Sequence, residues 1–158
     1  MAVDSYLELD SIQGESQTEG FKDQIQLHSF SFGGTQRTSV AGTGGSGAGK
    51  VDLHDFTIVK NLDKASSKIF KALVSGTHIK SGVLSSVKSG ANGKPYFKLT
   101  FGELFVTSHQ ISASDEIPTE SVSFSYNTIK VEYSTQNEQG ILTPTGSVSY
   151  DLKAGKAS

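Results

Sequence analysis

Polar and apolar residues alternate with a period of two over much of this chain. From Val3 to Leu9, the residues Val3, Ser5, Leu7 and Leu9 oppose Asp4, Tyr6 and Glu8. That period places alternate side chains on opposite faces, so the segment reads as a strand. Val51–Val59 alternates in the same way, with Val51, Leu53, Asp55, Thr57 and Val59 against Asp52, His54, Phe56 and Ile58. Further strands are expected at 79–87, 96–101, 104–111, across 121–133 and at 146–152. The run 25–32 is less regular. Ile25, Leu27, Ser29 and Ser31 share one face, and Gln26, His28, Phe30 and Phe32 share the other. Each face is apolar at one end and polar at the other. A strand that swaps its buried face midway bends between two sheets or leaves the core for a subunit contact.

The period changes once. Leu62, Ala65, Ile69, Phe70, Leu73 and Val74 follow helical spacing. They predict one short amphipathic helix over about 63–75, with Asp63 as N-cap and Gly76 closing its end. Asn92-Gly93 is the strongest turn signal, placed between two strand-patterned runs. Many short strands with regular turns and one helix make a mainly β chain, a sandwich or barrel. Residues 33–50 are rich in Gly, Ser and Thr and read as an extended loop; 153–158 reads as a frayed tail.

The length, 158 residues, suits a single domain able to bury its own core. No cysteine is present, so disulfides and thiolate metal sites are excluded. Fourteen basic and sixteen acidic residues are interspersed, for a net charge of -2. That balance offers no basic footprint for nucleic acid and no polybasic surface for membranes. No stretch approaches the roughly 20 apolar residues of a membrane helix. The N-terminal segment lacks a basic start and an apolar run, so synthesis in the cytoplasm without a cleavable signal is expected.

Two nucleotide-binding patterns fall in the Gly-rich stretch. Gly42-Thr43-Gly44-Gly45-Ser46-Gly47 fits G-x-G-x-x-G, and Gly44–Lys50 fits G-x-x-x-x-G-K. Both need a helix directly after the loop to hold the phosphate. Here Val51-Asp52-Leu53 is strand-patterned, and Val51 stands where a Mg²⁺-ligating Ser or Thr is required. His28, His54, His78 and His109 lack metal-ligand spacing, and His54, with Asp52 and Asp55 nearby, reads as a surface or rim histidine. Asp115 and Glu116 are adjacent and read as solvated loop charges. No nucleophile elbow occurs. No catalytic residue, cofactor or metal is expected. Lys60, Asp63, Lys64 and Lys68 surround the helix, either as a solvated face or as a subunit contact.

An ordered set of segments resembles one known family. It comprises Met1-Ala2-Val3-Asp4, Gly14-Glu15-Ser16, Phe30-Ser31-Phe32-Gly33, Gly49-Lys50-Val51, Phe56-Thr57-Ile58-Val59-Lys60 and Asp63-Lys64-Ala65-Ser66. Ser75-Gly76-Thr77-His78, Val106-Thr107-Ser108 and Val131-Glu132-Tyr133 complete it. Together they are similar to the haemolysin-coregulated protein, Hcp, of bacterial type VI secretion systems. Ser67 departs from the Pro common in members, and Phe30 and Phe32 from the Trp of some. The resemblance implies a compact barrel of two antiparallel sheets with one flanking helix, as in phage tail-tube proteins. It implies six copies in a ring and rings stacked into a hollow tube. A contractile sheath would drive that tube, tipped by a spike, into a target cell, with effectors in the lumen of some members. The implied role is structural and secreted, with no active site.

On this reading, Gly42, Thr43, Gly44, Gly45, Ser46, Gly47 and Lys50 are candidates for contact within or between rings. Ser29 and Ser31 are candidates for lining the lumen, where a polar, non-adhesive wall suits cargo. Lys60, Asp63 and Lys64 are candidate subunit contacts. A phage-type tail tube, a ligand- or carbohydrate-binding β-sandwich and an enzyme on a β scaffold are the competing readings. The second lacks the loop tryptophans such modules favour, since the chain has no Trp. The third lacks a recognisable constellation.

Overall fold

The computed structural model describes residues 3–38, 48–88 and 93–158. Among these residues, twelve strands and one helix follow in chain order. They are β1 (Val3–Leu9), β2 (Ile25–Leu27), β3 (Ser29–Ser31), β4 (Gly34–Thr38), β5 (Ala48–Leu53), β6 (Phe56–Asn61) and α1 (Ser66–Ser75). Then come β7 (Ile79–Lys88), β8 (Phe97–Ser112), β9 (Thr119–Ser125), β10 (Thr128–Gln136), β11 (Leu142–Asp151) and β12 (Lys156–Ala157). One sheet runs β12-β11-β10-β8-β7-β1-β2, with every pairing antiparallel. A second antiparallel sheet runs β3-β6-β9-β8. We call them sheet one and sheet two.

The two sheets share β8, whose length is the main departure from expectation. Residues 96–101 and 104–111 were expected as separate strands, yet they form one sixteen-residue strand. Its first half pairs with β7 and β10, and its second half with β9. The turn from one sheet to the other falls at Gly102-Glu103, where Glu103 takes a left-handed φ of 51°. A Cβ on Gly102 would lie 2.3 Å from Thr128 Oγ1, so only glycine lets β10 approach this corner.

The mixed faces of 25–32 have the same origin. β2 pairs with β1 in sheet one, and β3 pairs with β6 in sheet two. His28 lies at the crossing, where the inward phase slips by one residue. Before it Ile25 and Leu27 are buried, and after it Phe30 and Phe32 pack on the core. The expected strand 51–59 is likewise broken at His54-Asp55, giving β5 to a two-stranded ribbon and β6 to sheet two.

The core lies between the sheets and is aromatic at its centre. Phe56 stacks on Phe101 at 4.5 Å, and Phe101 meets Tyr126 at 5.0 Å. Tyr126 donates to the His54 carbonyl at 2.8 Å. Burial, and then the Asp55 charge, push the Tyr126 phenol up to about 12.

Three further expectations are corrected. The extended loop 33–50 is partly a ribbon, because β4 pairs with β5, while residues 39–47 lie outside the described residues. The tail 153–158 does not fray: β12 pairs with β11, and Ser149 and Ser158 exchange backbone hydrogen bonds of 2.8 Å. The helix begins at Ser66 and its N-cap is Ala65. Asp63 still serves the helix entry, accepting from the Ala65 amide at 2.9 Å. Gly76 closes the helix in the left-handed region, at φ 64°.

Candidate functional site

Sheet two has two contrasting sides, and the alternation of its strands builds both. On β6 the inward residues are Phe56, Ile58 and Lys60; on β9 they are Glu120, Val122 and Phe124. Two charges therefore sit in phase with four large apolar side chains. Register pairs Lys60 with Glu120, and α1 covers both. Lys60 donates to Glu120, to Asp63 at 2.8 Å and to Ser66 Oγ at 3.3 Å. Ser66 Oγ donates to the same Glu120 oxygen at 2.7 Å. His109, on β8, hydrogen-bonds the other Glu120 oxygen and lies against the Phe70 ring of α1.

The side chains of Lys60 and Glu120 are fully buried, and His109 nearly so. Burial by itself pushes the Glu120 carboxyl up. The hydrogen bonds from Lys60, His109 and Ser66 outweigh it and hold the group below the ordinary carboxylate range. This cluster is a clamp: it fastens the first turn of α1 to three strands.

Lys60 was a candidate subunit contact on an exposed helix surround. It is instead enclosed beneath the helix, its charge satisfied from within, and cannot reach another copy in this arrangement. Asp63 is largely covered by the same clamp. Lys64 is exposed, and its backbone amide donates to Glu15 at 3.0 Å. Glu120, His109 and Ser66 were missed as partners. The available signal was a charge in phase with the inward apolar residues on each of β6 and β9.

The outer side of sheet two carries hydroxyls. Ser29 and Ser31 are exposed on β3, in register with Val59 and Thr57 of β6. Thr57 and Val59 in turn pair with Ser123 and Ser121 of β9. Thr57 Oγ1 and Ser123 Oγ are 2.9 Å apart. The outward positions of β3, β6 and β9 from 29 to 31, 57 to 59 and 121 to 125 hold no ionisable group. Gly42–Gly47 lie outside the described residues, and Lys50 falls within β5. A strand, not a helix, follows the Gly-rich stretch, so neither nucleotide-binding pattern has the helix it requires.

The helix leaves apolar residues uncovered. Ile69 and Ala72 are buried, whereas Phe70 is 52% and Val74 66% exposed. Both were expected on a single inward stripe. No helix among the described residues is long and apolar enough to cross a membrane.

Residues 6–133 match the sequence profile of a family described as "Type VI secretion system effector, Hcp". A Pseudomonas aeruginosa protein named Hcp1 is 31% identical over 143 residues, covering 89% of this chain and 88% of that protein. A solved structure described as a type six secretion system protein superposes with a TM-score of 0.93 at 25% identity, covering 99% of this chain and all of the other. The crystal structure of Hcp1 from Salmonella typhimurium gives a TM-score of 0.80 at 32% identity, with both chains covered in full. The likeness spans both sheets, the shared strand and the helix, and this chain belongs to the Hcp family of type VI secretion proteins.

Proposed function

We propose that six copies of this chain close into a ring, that rings stack into a hollow tube, and that the hydroxyl side of sheet two faces its lumen. Family membership makes the chain a subunit of the secretion tube. The observation that carries the lumen assignment is the uncharged wall of Ser29, Ser31, Thr57, Ser121, Ser123 and Ser125, which also includes Val59. Such a wall hydrogen-bonds to water and offers passing cargo no fixed charge to adhere to.

The whole of 1–158 acts as one tube domain in this reading. Assembly takes place in the cytoplasm. The partners are further copies, the spike, the contractile sheath and effectors carried in the lumen. The chain contributes a passage and no catalysis. The stretch 42–47 and Lys50 are contacts with a neighbouring copy in this reading, and Lys64 is another. Ring closure also covers what a lone copy exposes, such as Phe70 and Val74.

Light scattering across a range of concentrations tests the ring. A mass six times that of the chain is expected, and a monomer throughout would overturn it. The lumen is tested separately. The chain has no cysteine, so Ser123→Cys provides a single thiol. A gold-cluster label there is expected on the tube axis in electron micrographs. Label on the outer wall would reverse the facing.

A further inference from the structure

Along one side of α1, from Lys68 to Ser75, a groove of about 420 Å³ opens between the helix and the segment following β1. Its floor is apolar, from Ile12, Ala72 and Ile79, all largely buried. Its rim carries Lys68, Lys71 and Lys80 against Asp10 alone. None of the three lysines forms an ion pair with a described residue. A basic rim over an apolar floor fits an acidic segment that also carries an aliphatic side chain.

This chain exposes such a segment. Between β8 and β9, Asp115, Glu116 and Ile117 are all exposed, Ile117 at 66%. Neither carboxylate has an ion pair among the described residues. The Leu62 amide donates to the Pro118 carbonyl at 3.0 Å and ties the loop beside the start of α1.

Within one chain the loop and the groove form no ion pair: neither Asp115 nor Glu116 pairs with Lys68, Lys71 or Lys80. A contact between them joins two copies head-to-tail, the kind that closes a ring or extends a stack.

We infer that the Asp115–Ile117 loop of one copy docks in the Lys68–Lys71–Lys80 groove of the next, with Ile117 on the apolar floor. The inference rests on the reading that copies assemble, and it adds which surfaces meet. Complementary charge sets the direction of the contact and excludes groove-to-groove pairing.

The test is a charge swap followed by analytical ultracentrifugation. One variant carries Lys68→Glu and Lys71→Glu, and the other Asp115→Lys and Glu116→Lys. All four sites are exposed, and unchanged circular dichroism checks that both variants fold. Each alone is expected to associate at least about tenfold more weakly than the unmodified protein. Mixed in equal amounts they recover most of that loss, because alternating copies restore opposite charges at every contact. Should a reversal fail to fold, Lys68→Gln with Lys71→Gln, and Asp115→Asn with Glu116→Asn, remove the charges instead, and each still weakens association. Assembly insensitive to both reversals overturns this contact and leaves the tube reading standing. A loss in the groove variant alone, or no recovery on mixing, assigns the groove to another occupant and also overturns it. An unmodified protein that stays monomeric throughout overturns the tube reading, and this contact with it.

Discussion

The two sides of α1 treat charge in opposite ways. On one, Lys60, Asp63, Glu120 and Ser66 satisfy one another in a closed cluster, which His109 joins through Nε2. On the other, Lys68 and Lys71 line an apolar groove with no described carboxylate in ion-pair reach. Both sides belong to the same ten-residue helix. The difference lies in where the partner charge resides. A charge whose partner is in its own chain, in register and dry, holds the fold together. A charge left in water beside an apolar floor is available to another molecule. Net charge is blind to that distinction, since each lysine adds the same unit to it.

The largest effect expected from this contrast is on folding. Lys60→Met removes the only lysine in the clamp and leaves the Glu120 carboxylate without its cation. Breaking a buried pair from one side is expected to lower stability by about 3 to 5 kcal/mol. Urea unfolding at fixed protein concentration measures it. A loss no greater than that of a surface lysine would mean that the cluster does not clamp the helix.

Acid sharpens the same point. Glu120 is held below its ordinary value of 4.5 in the folded chain and returns towards it on unfolding. The unfolded state therefore takes up the proton first as the pH falls. The contribution is fully present above about 4.5 and is lost as the pH drops through the lower, folded value. Other carboxylates titrate in the same range, so the reading is a difference. Melting temperatures from pH 6 to pH 3 are expected to fall more steeply for the unmodified protein than for Glu120→Gln. Parallel curves would sink the assignment.

The clamp also shows what the sequence could and could not reveal. Strand positions followed from alternation, because each half-buried face repeats every second residue. The swap of faces at 25–32 was visible as a phase slip at His28. Lys60 and Glu120 were equally visible as charges in phase with Ile58 and Val122. Their meeting was not, because sixty residues separate them and only strand register brings them opposite. The corner at Gly102-Glu103 was hidden for a related reason. A turn residue between two alternating runs looks the same whether the chain reverses or bends on into a second sheet. The outer hydroxyl wall was half legible: Ser29 and Ser31 read as a polar pair, but their continuation into Thr57, Ser121 and Ser123 needed the pairing of β6 with β9. The groove was not legible at all, since the segment after β1 and one side of α1 converge only in the fold.

A smaller loss is expected at Ser66. Its hydroxyl donates to Glu120 at 2.7 Å and accepts from the Asp63 amide at 3.0 Å. Ser66→Ala deletes both bonds, and the one its hydroxyl accepts from Lys60 at 3.3 Å, while keeping the helix. It leaves Lys60 and His109 in place, so the carboxylate stays charged. An unmet buried group typically destabilises by about 1 to 3 kcal/mol. Equality with Lys60→Met would show that the hydroxyl, and not the ammonium, organises the cluster.

The smallest stability effect belongs to the other side of the helix, and its smallness is the point. Lys71→Met leaves no buried group unpaired and keeps an unbranched side chain of good helix propensity. Folding stability is expected to stay within about 0.5 kcal/mol of the unmodified protein in urea. Association should weaken in the same variant, and the salt dependence of assembly should shrink, since one screened attraction is gone. A side chain that changes assembly without changing folding belongs to the contact between copies. If Lys71→Met instead lowered stability as Lys60→Met does, its charge would have a partner within the chain, and the contrast between the two sides of α1 would collapse.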